Sequence, residues 1–167
     1  MSTPAAPTTT TSVPATGIDP RGPRFGAGIT AVLLLVTIAL ELGGATLAGT
    51  ILFAAIVAVF AWGAFAGIRR HPYGVLFKRV VRPRLAPPSE LEDPAPPTFA
   101  QGVGFVITIV GLALGLALQA PTAIVVAAAL AFVAAFLNSV FAFCLGCQIY
   151  LLLARTGLIR RNGATTA

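Results

Sequence analysis

Four long apolar runs alternate with short polar breaks along this chain. The first extends from about Phe25 to Leu42, the second from about Thr46 to Ile68, the third from about Phe99 to Leu118, and the fourth from about Thr122 to as far as Ala154. Each reaches or exceeds the roughly 18 apolar residues that mark a membrane-crossing helix. Gly43-Gly44 supplies a turn between the first two runs. Gln119-Ala120-Pro121 separates the last two, and Pro121 suits the first position of a helix, where its missing N–H costs nothing. The pattern predicts an all-α polytopic membrane protein with four transmembrane helices.

Composition agrees. The chain is 57% hydrophobic and 10% charged, against roughly 25% charged residues in soluble domains. Residues 1–18 are rich in Pro, Thr, Ser and Ala and hold no Lys or Arg. They read as a disordered tail rather than a cleavable leader, because the first apolar run follows Arg21 and Arg24 and leads straight into a second span. Residues 19–155 then form the membrane domain, with a loop at about 69–98, and 156–167 form a C-terminal tail.

Charge sets an orientation. The eleven basic residues fall in three segments: Arg21 and Arg24 before the first span; Arg69, Arg70, Lys78, Arg79, Arg82 and Arg84 between spans two and three; Arg155, Arg160 and Arg161 after the fourth. Four spans put all three segments on one face, and the two short hairpins carry no base. The positive-inside rule assigns that face, with both termini, to the cytoplasm. The net charge of +6 is thus a topology signal. Nucleic-acid binding is not expected, since the bases flank spans and no recognition fold is present.

The central loop has a pattern of its own. On a helical wheel over Val75–Arg82, Lys78, Arg79 and Arg82 fall within about 100° of one another, opposite Leu76, Phe77, Val80 and Val81. This predicts a short amphipathic helix in the interface, its bases toward anionic headgroups. The proline-rich, acidic stretch from Ala86 to Pro97 that follows is expected to be extended and solvated.

Within the spans, Gly63–Gly67 and Gly111–Gly115 are G-x-x-x-G pairs that let helices approach closely, within one chain or between two copies. Trp62, Tyr73 and Tyr150 are expected at the cytoplasmic interface. Glu41 is the one charge inside the predicted spans. About 26 Å of helix separates it from Arg24, so a hydrated carboxylate near the outer interface is expected, with a proton or cation site as the sharper alternative.

Cys144 and Cys147 form the only thiol pair, in a stretch from Thr98 to Ala154 without any Asp, Glu, Lys or Arg. As one helix, Thr122–Ala154 would be about 50 Å long against a hydrocarbon core of about 30 Å, so it must tilt, break or project. On a continuous helix Cys144, Cys147, Gln148, Leu151 and Arg155 share a face, and Arg155 is placed to favour a thiolate. Three readings stand together: packing residues, a thiol redox or persulfide relay, and a metal site. Redox motifs usually put the first cysteine at a helix N-terminus, whereas this pair reads as mid-helix or late in a helix. A reducing cytoplasm disfavours a stable bridge and permits a transient one. A metal site lacks ligands in one chain, since His71 is the lone histidine; a dimer would supply four cysteines. No metal is therefore expected. Asn138 and Ser139 are polar in the same run and read as interhelical hydrogen-bonding groups, off the cysteine face. No phosphate loop is present and Gly102-Val103-Gly104 does not complete a dinucleotide fingerprint, so no cofactor is expected.

Several segments taken together carry a resemblance: Asp19-Pro20-Arg21-Gly22-Pro23-Arg24-Phe25, His71-Pro72-Tyr73-Gly74, Val81-Arg82-Pro83-Arg84-Leu85, Glu90-Leu91-Glu92-Asp93, Phe99-Ala100-Gln101-Gly102, and Ala135-Phe136-Leu137-Asn138 running into Phe143-Cys144-Leu145-Gly146-Cys147. Over roughly residues 18–155 the chain resembles the bacterial "domain of unknown function 4395" membrane family. The resemblance implies a small multi-span inner-membrane protein encoded near thioredoxin-like or rhodanese-like proteins. It raises the weight of a membrane thiol oxidoreductase or sulfur-relay component at Cys144 and Cys147, with Arg155, Gln148 and Asn138 in support, docking such a partner on the basic face. The alternatives are a non-catalytic scaffold or accessory subunit, and a small transporter using Asn138, Ser139 and the thiols; either could be oligomeric.

Overall fold

The computed structural model describes residues 17–158. Most of the N-terminal tail, and the C-terminal residues with Arg160 and Arg161, lie outside it. Four helices are long and apolar enough to span a membrane: α1 (Arg21–Leu42), α2 (Thr46–Ala66), α4 (Ala95–Ala117) and α5 (Pro121–Phe141). Two shorter helices, α3 (Pro72–Leu76) and α6 (Leu145–Arg155), lie between α2 and α4 and after α5. The chain is an all-α polytopic membrane protein.

The bundle is a square in which α1 packs on α2 and α5, and α4 packs on the same two. Its interior is Leu34, Phe53, Ile56, Val57, Ile124, Ala127, Ala128 and Ala131. Large apolar side chains such as Val32, Leu35, Ile51, Val106, Val126 and Leu130 point outward, the arrangement lipid requires. Buried threonines are satisfied within their own helices: Thr30 donates to the Gly26 carbonyl, Thr37 to Leu33 and Thr108 to Gly104, at 2.8–3.0 Å. On the α4–α5 face, Gly111 meets Ala127 and Gly115 meets Ile124, so this small-residue pair joins helices of one chain. The other pair is divided. Gly63 faces Gln101 and His71, whereas Gly67, at φ +80°, ends α2.

The fourth apolar run is not one helix. α5 stops at Phe141, Ala142 takes a left-handed conformation (φ 57°), and α6 begins after Cys144. The Phe143 N–H closes the break on the Leu137 carbonyl at 3.1 Å. Cut there, α5 is about 31 Å long, close to the hydrocarbon thickness.

At the loop end, the wheel over Val75–Arg82 becomes α3, a π-helical turn over Phe77–Val81 and a 3-10 turn over Arg82–Arg84. Phe77 is buried against Phe25, while Lys78, Arg79 and Arg82 are exposed. One expectation needs correction here. Ile18 belongs to the fold, not to a tail: its N–H and C=O pair with those of Glu92 at 2.9 Å, tying the acidic stretch down. Asp19 is buried and paired with Arg21 at 2.8 Å, and Arg21 also reaches the Ala86 carbonyl at 3.1 Å.

Candidate functional site

Two segments bring the cysteines to a cavity. Breaking the chain at Ala142 turns α6 across the first turns of α4, where Gly146 meets Ala100 and the Tyr150 ring lies tilted against Phe99, centroids 5.7 Å apart. A side chain at 146 would bring Cβ within 2.6 Å of the Ala100 Cα, so the glycine between the cysteines is what permits this approach.

Cys144 and Cys147 are joined by a disulfide, their Cα atoms 5.2 Å apart. Cys144 is the N-cap of α6, and its Sγ accepts the Cys147 N–H at 3.2 Å. The break corrects one expectation: the pair sits at a helix N-terminus, not mid-helix. It is bridged, a state the sequence reading allowed.

The bridge lies on the wall of a cavity of about 330 Å³. Arg24 of α1, Gln101 of α4, Asn138 of α5, Gln148 of α6 and the Glu92–Asp93 segment line it with the cysteines. Of the supporting residues expected from sequence, Gln148 and Asn138 are present. Asn138 was expected away from the cysteines; the break in the run folds α6 back beside it. Arg155 stands at the far end of α6, exposed and off the cavity wall. Arg24 takes the place expected of it, a residue that nothing in its local sequence singled out, since it lies more than a hundred positions away. Ser139 packs toward Gly28 of α1 instead.

Behind the cavity, His71 is 3% exposed and stands beside Gln101 under Gly63. Burial lowers the His71 pKa to about 4, so the ring is neutral. His71 is not on the cysteine wall. Among the described residues no three His, Cys, Asp or Glu side chains cluster as metal ligands would. Lys78, Arg79 and Arg82 are exposed on the loop, away from the cysteines.

At the opposite end of the bundle Glu41 departs from expectation. It is 6% exposed, tucked against Gly49, and accepts a hydrogen bond from Thr50 Oγ1 at 3.1 Å. It is a buried link between α1 and α2, not a hydrated helix end.

A family model described as a domain of unknown function (DUF4395) matches residues 18–155. No curated protein and no solved structure matches the chain.

Proposed function

The chain belongs to the DUF4395 family, and from that premise we propose that it is a membrane thiol–disulfide oxidoreductase module whose working group is the Cys144–Cys147 pair. One observation carries the reading: Cys144 caps α6 with its Sγ on the Cys147 N–H, at the wall of a polar cavity shared with Arg24. A thiolate formed at Cys144 on reduction meets that N–H, the positive end of the α6 dipole and a guanidinium on the same wall. All three favour the anion and lower a thiol pKa, against the opposing carboxylates of Glu92 and Asp93 on the same wall. A purely structural staple is a weaker account, because a bridge across so short a loop restrains little of the unfolded chain.

Cys144 is then the nucleophile and Cys147 the resolving thiol. In the reduced form, the Cys144 thiolate attacks one sulfur of a partner disulfide, and the other partner sulfur leaves as a thiolate. Cys147 loses its proton to solvent, attacks Cys144 Sγ and expels the first partner sulfur. Two electrons have passed to the partner and the Cys144–Cys147 bond has formed. A second, dithiol partner of thioredoxin-like chemistry restores the pair by the same exchange in reverse. The basic loop end faces the cytoplasm in this reading, by the positive-inside rule.

The test is exchange with a protein dithiol. Purified full-length chain in vesicles is incubated with a reduced thioredoxin-like protein and then alkylated. Opening of the bridge, with both cysteines becoming alkylated, is expected. A bridge that opens only to a small reductant after detergent is added sinks the proposal.

A further inference from the structure

A second recess lies on another face of α4. The outer surfaces of α2 and α4 leave an open groove of about 820 Å³. Its floor is Gly102, Val103, Val106 and Ile107 of α4, α2 contributes Ala64 and Ala66, and Arg69 and Arg70 close it at the loop end. The lining is predominantly apolar. From Ala95 to Ile107 the floor is about 18 Å long, close to the roughly 15 Å depth of one leaflet of hydrocarbon. The groove therefore runs from headgroup level to about mid-bilayer.

Its charged end is built to stay at that level. Trp62 is exposed and donates its Nε1 hydrogen to the Arg70 carbonyl at 3.0 Å, fixing the turn that carries both arginines. Amphipathic indole rings favour the membrane–water interface. Both arginines are exposed, and among the described residues the ion pair is Asp19–Arg21, elsewhere in the fold. Two guanidiniums thus stand unneutralised at the mouth of an acyl-sized slot.

We infer that this groove is a binding site for one anionic phospholipid, its phosphate on Arg69 and Arg70 and an acyl chain along α4. A zwitterionic lipid would bring its own ammonium beside two cations, so the site discriminates by headgroup charge. The inference does not depend on the thiol reading, since the cysteines lie on a different face of α4.

Native mass spectrometry of the full chain tests it, with protein released from vesicles of phosphatidylglycerol and phosphatidylcholine carrying identical acyl chains. The wild type should retain phosphatidylglycerol over phosphatidylcholine by roughly tenfold or more, on the usual strength of two basic side chains at an anionic surface. The double substitution R69Q/R70Q should bring retention of the two lipids to parity. Gly102→Leu should lose the retained lipid altogether. A Cβ at position 102 meets nothing within 4 Å, so a leucine there fills the groove without disturbing the bundle. A thermal unfolding midpoint in detergent equal to the wild type's reports that each variant is folded. Equal retention of both lipids by the wild type, or an unchanged preference in R69Q/R70Q, overturns the inference. So does a dimer that Gly102→Leu dissociates, which would give the groove to a second copy of the chain.

Discussion

The backbone N–H of Cys147 points at the Sγ of Cys144 from 3.2 Å. That contact exists because α6 starts anew after Cys144. In one continuous fourth helix the Cys147 N–H would be spent on the carbonyl of Phe143, four residues back, and Cys144 would have no helix terminus to cap. The break between α5 and α6 turns a pair of small residues in an apolar run into a thiol site with a donor aimed at it.

Cysteine substitutions should separate the roles. Cys147→Ser leaves the nucleophile without a resolving thiol, so the Cys144 thiolate should attack the disulfide of an added oxidised thioredoxin-like protein and hold it as a mixed disulfide, visible on non-reducing gels. Cys144→Ser should accumulate far less. Arg24→Gln should slow trapping near neutral pH and Arg24→Lys should restore part of it, since a guanidinium on the cavity wall acts through charge.

Ala142 is the residue that makes the break, with φ 57° and ψ 22°. A β-branched side chain tolerates that conformation poorly. Ala142→Val should lower stability by about 1–2 kcal/mol and slow closure of the reduced pair when a disulfide oxidant is added. Ala142→Gly should be neutral or stabilising by up to about 1 kcal/mol. Thermal unfolding in detergent and the rate of bridge closure check both.

Helix contacts between α4 and α5 predict a different contrast. A Cβ at Gly115 would lie 2.6 Å from Ile124 Cγ1, and one at Gly111 would collide with Ala127. Gly111→Leu and Gly115→Leu should destabilise the single chain by about 1–3 kcal/mol or more. Because the obstructed neighbours belong to the same chain, the loss should appear in the monomer's unfolding and not only in assembly.

His71 sets a pH dependence. Burial holds its folded pKa at about 4 against 6.5 when solvated, so the unfolded chain takes up the proton first. Stability is full above about pH 6.5 and declines as pH falls toward 4, by at most about 3 kcal/mol. Asp19 acts in a separate window. Its hydrogen bonds from Arg21 hold the carboxyl below its ordinary 3.8, so its contribution is present above that value and is lost only as pH falls further. Unfolding of His71→Gln followed from pH 7 down to about 2 should lack the first slope and keep the second, below pH 3.8.

Length and hydropathy alone were enough to read the four spans, because lipid imposes a single length scale on every crossing helix. The G-x-x-x-G at Gly111–Gly115 was legible for the same reason, though whether it joined one chain or two was not. The end of α5 was hidden. Helix breaks are usually announced by Gly or Pro, and here the turn falls on Ala-Phe-Cys, 142–144, with the nearest glycine already inside α6. The misplacement of the cysteines on the helix, and the choice of Arg155 over Arg24, both follow from that missing signal. Arg24 reaches the cavity through the packing of α1 on α5, and periodicity within one segment cannot report that. Glu41 was misjudged because distance along a helix gives depth, not which neighbour covers the side chain.

The most direct test of the central claim is the pH dependence of alkylation at Cys144 in the reduced, vesicle-embedded chain, read by mass spectrometry alongside Cys147. A thiol stabilised by a helix N-terminus and a nearby guanidinium should react with an apparent pKa well below the ordinary value of about 8.5, and Cys144 should react before Cys147. If both cysteines titrate at or above that value, or neither reacts until detergent is added, the pair is packing and the thiol account is contradicted.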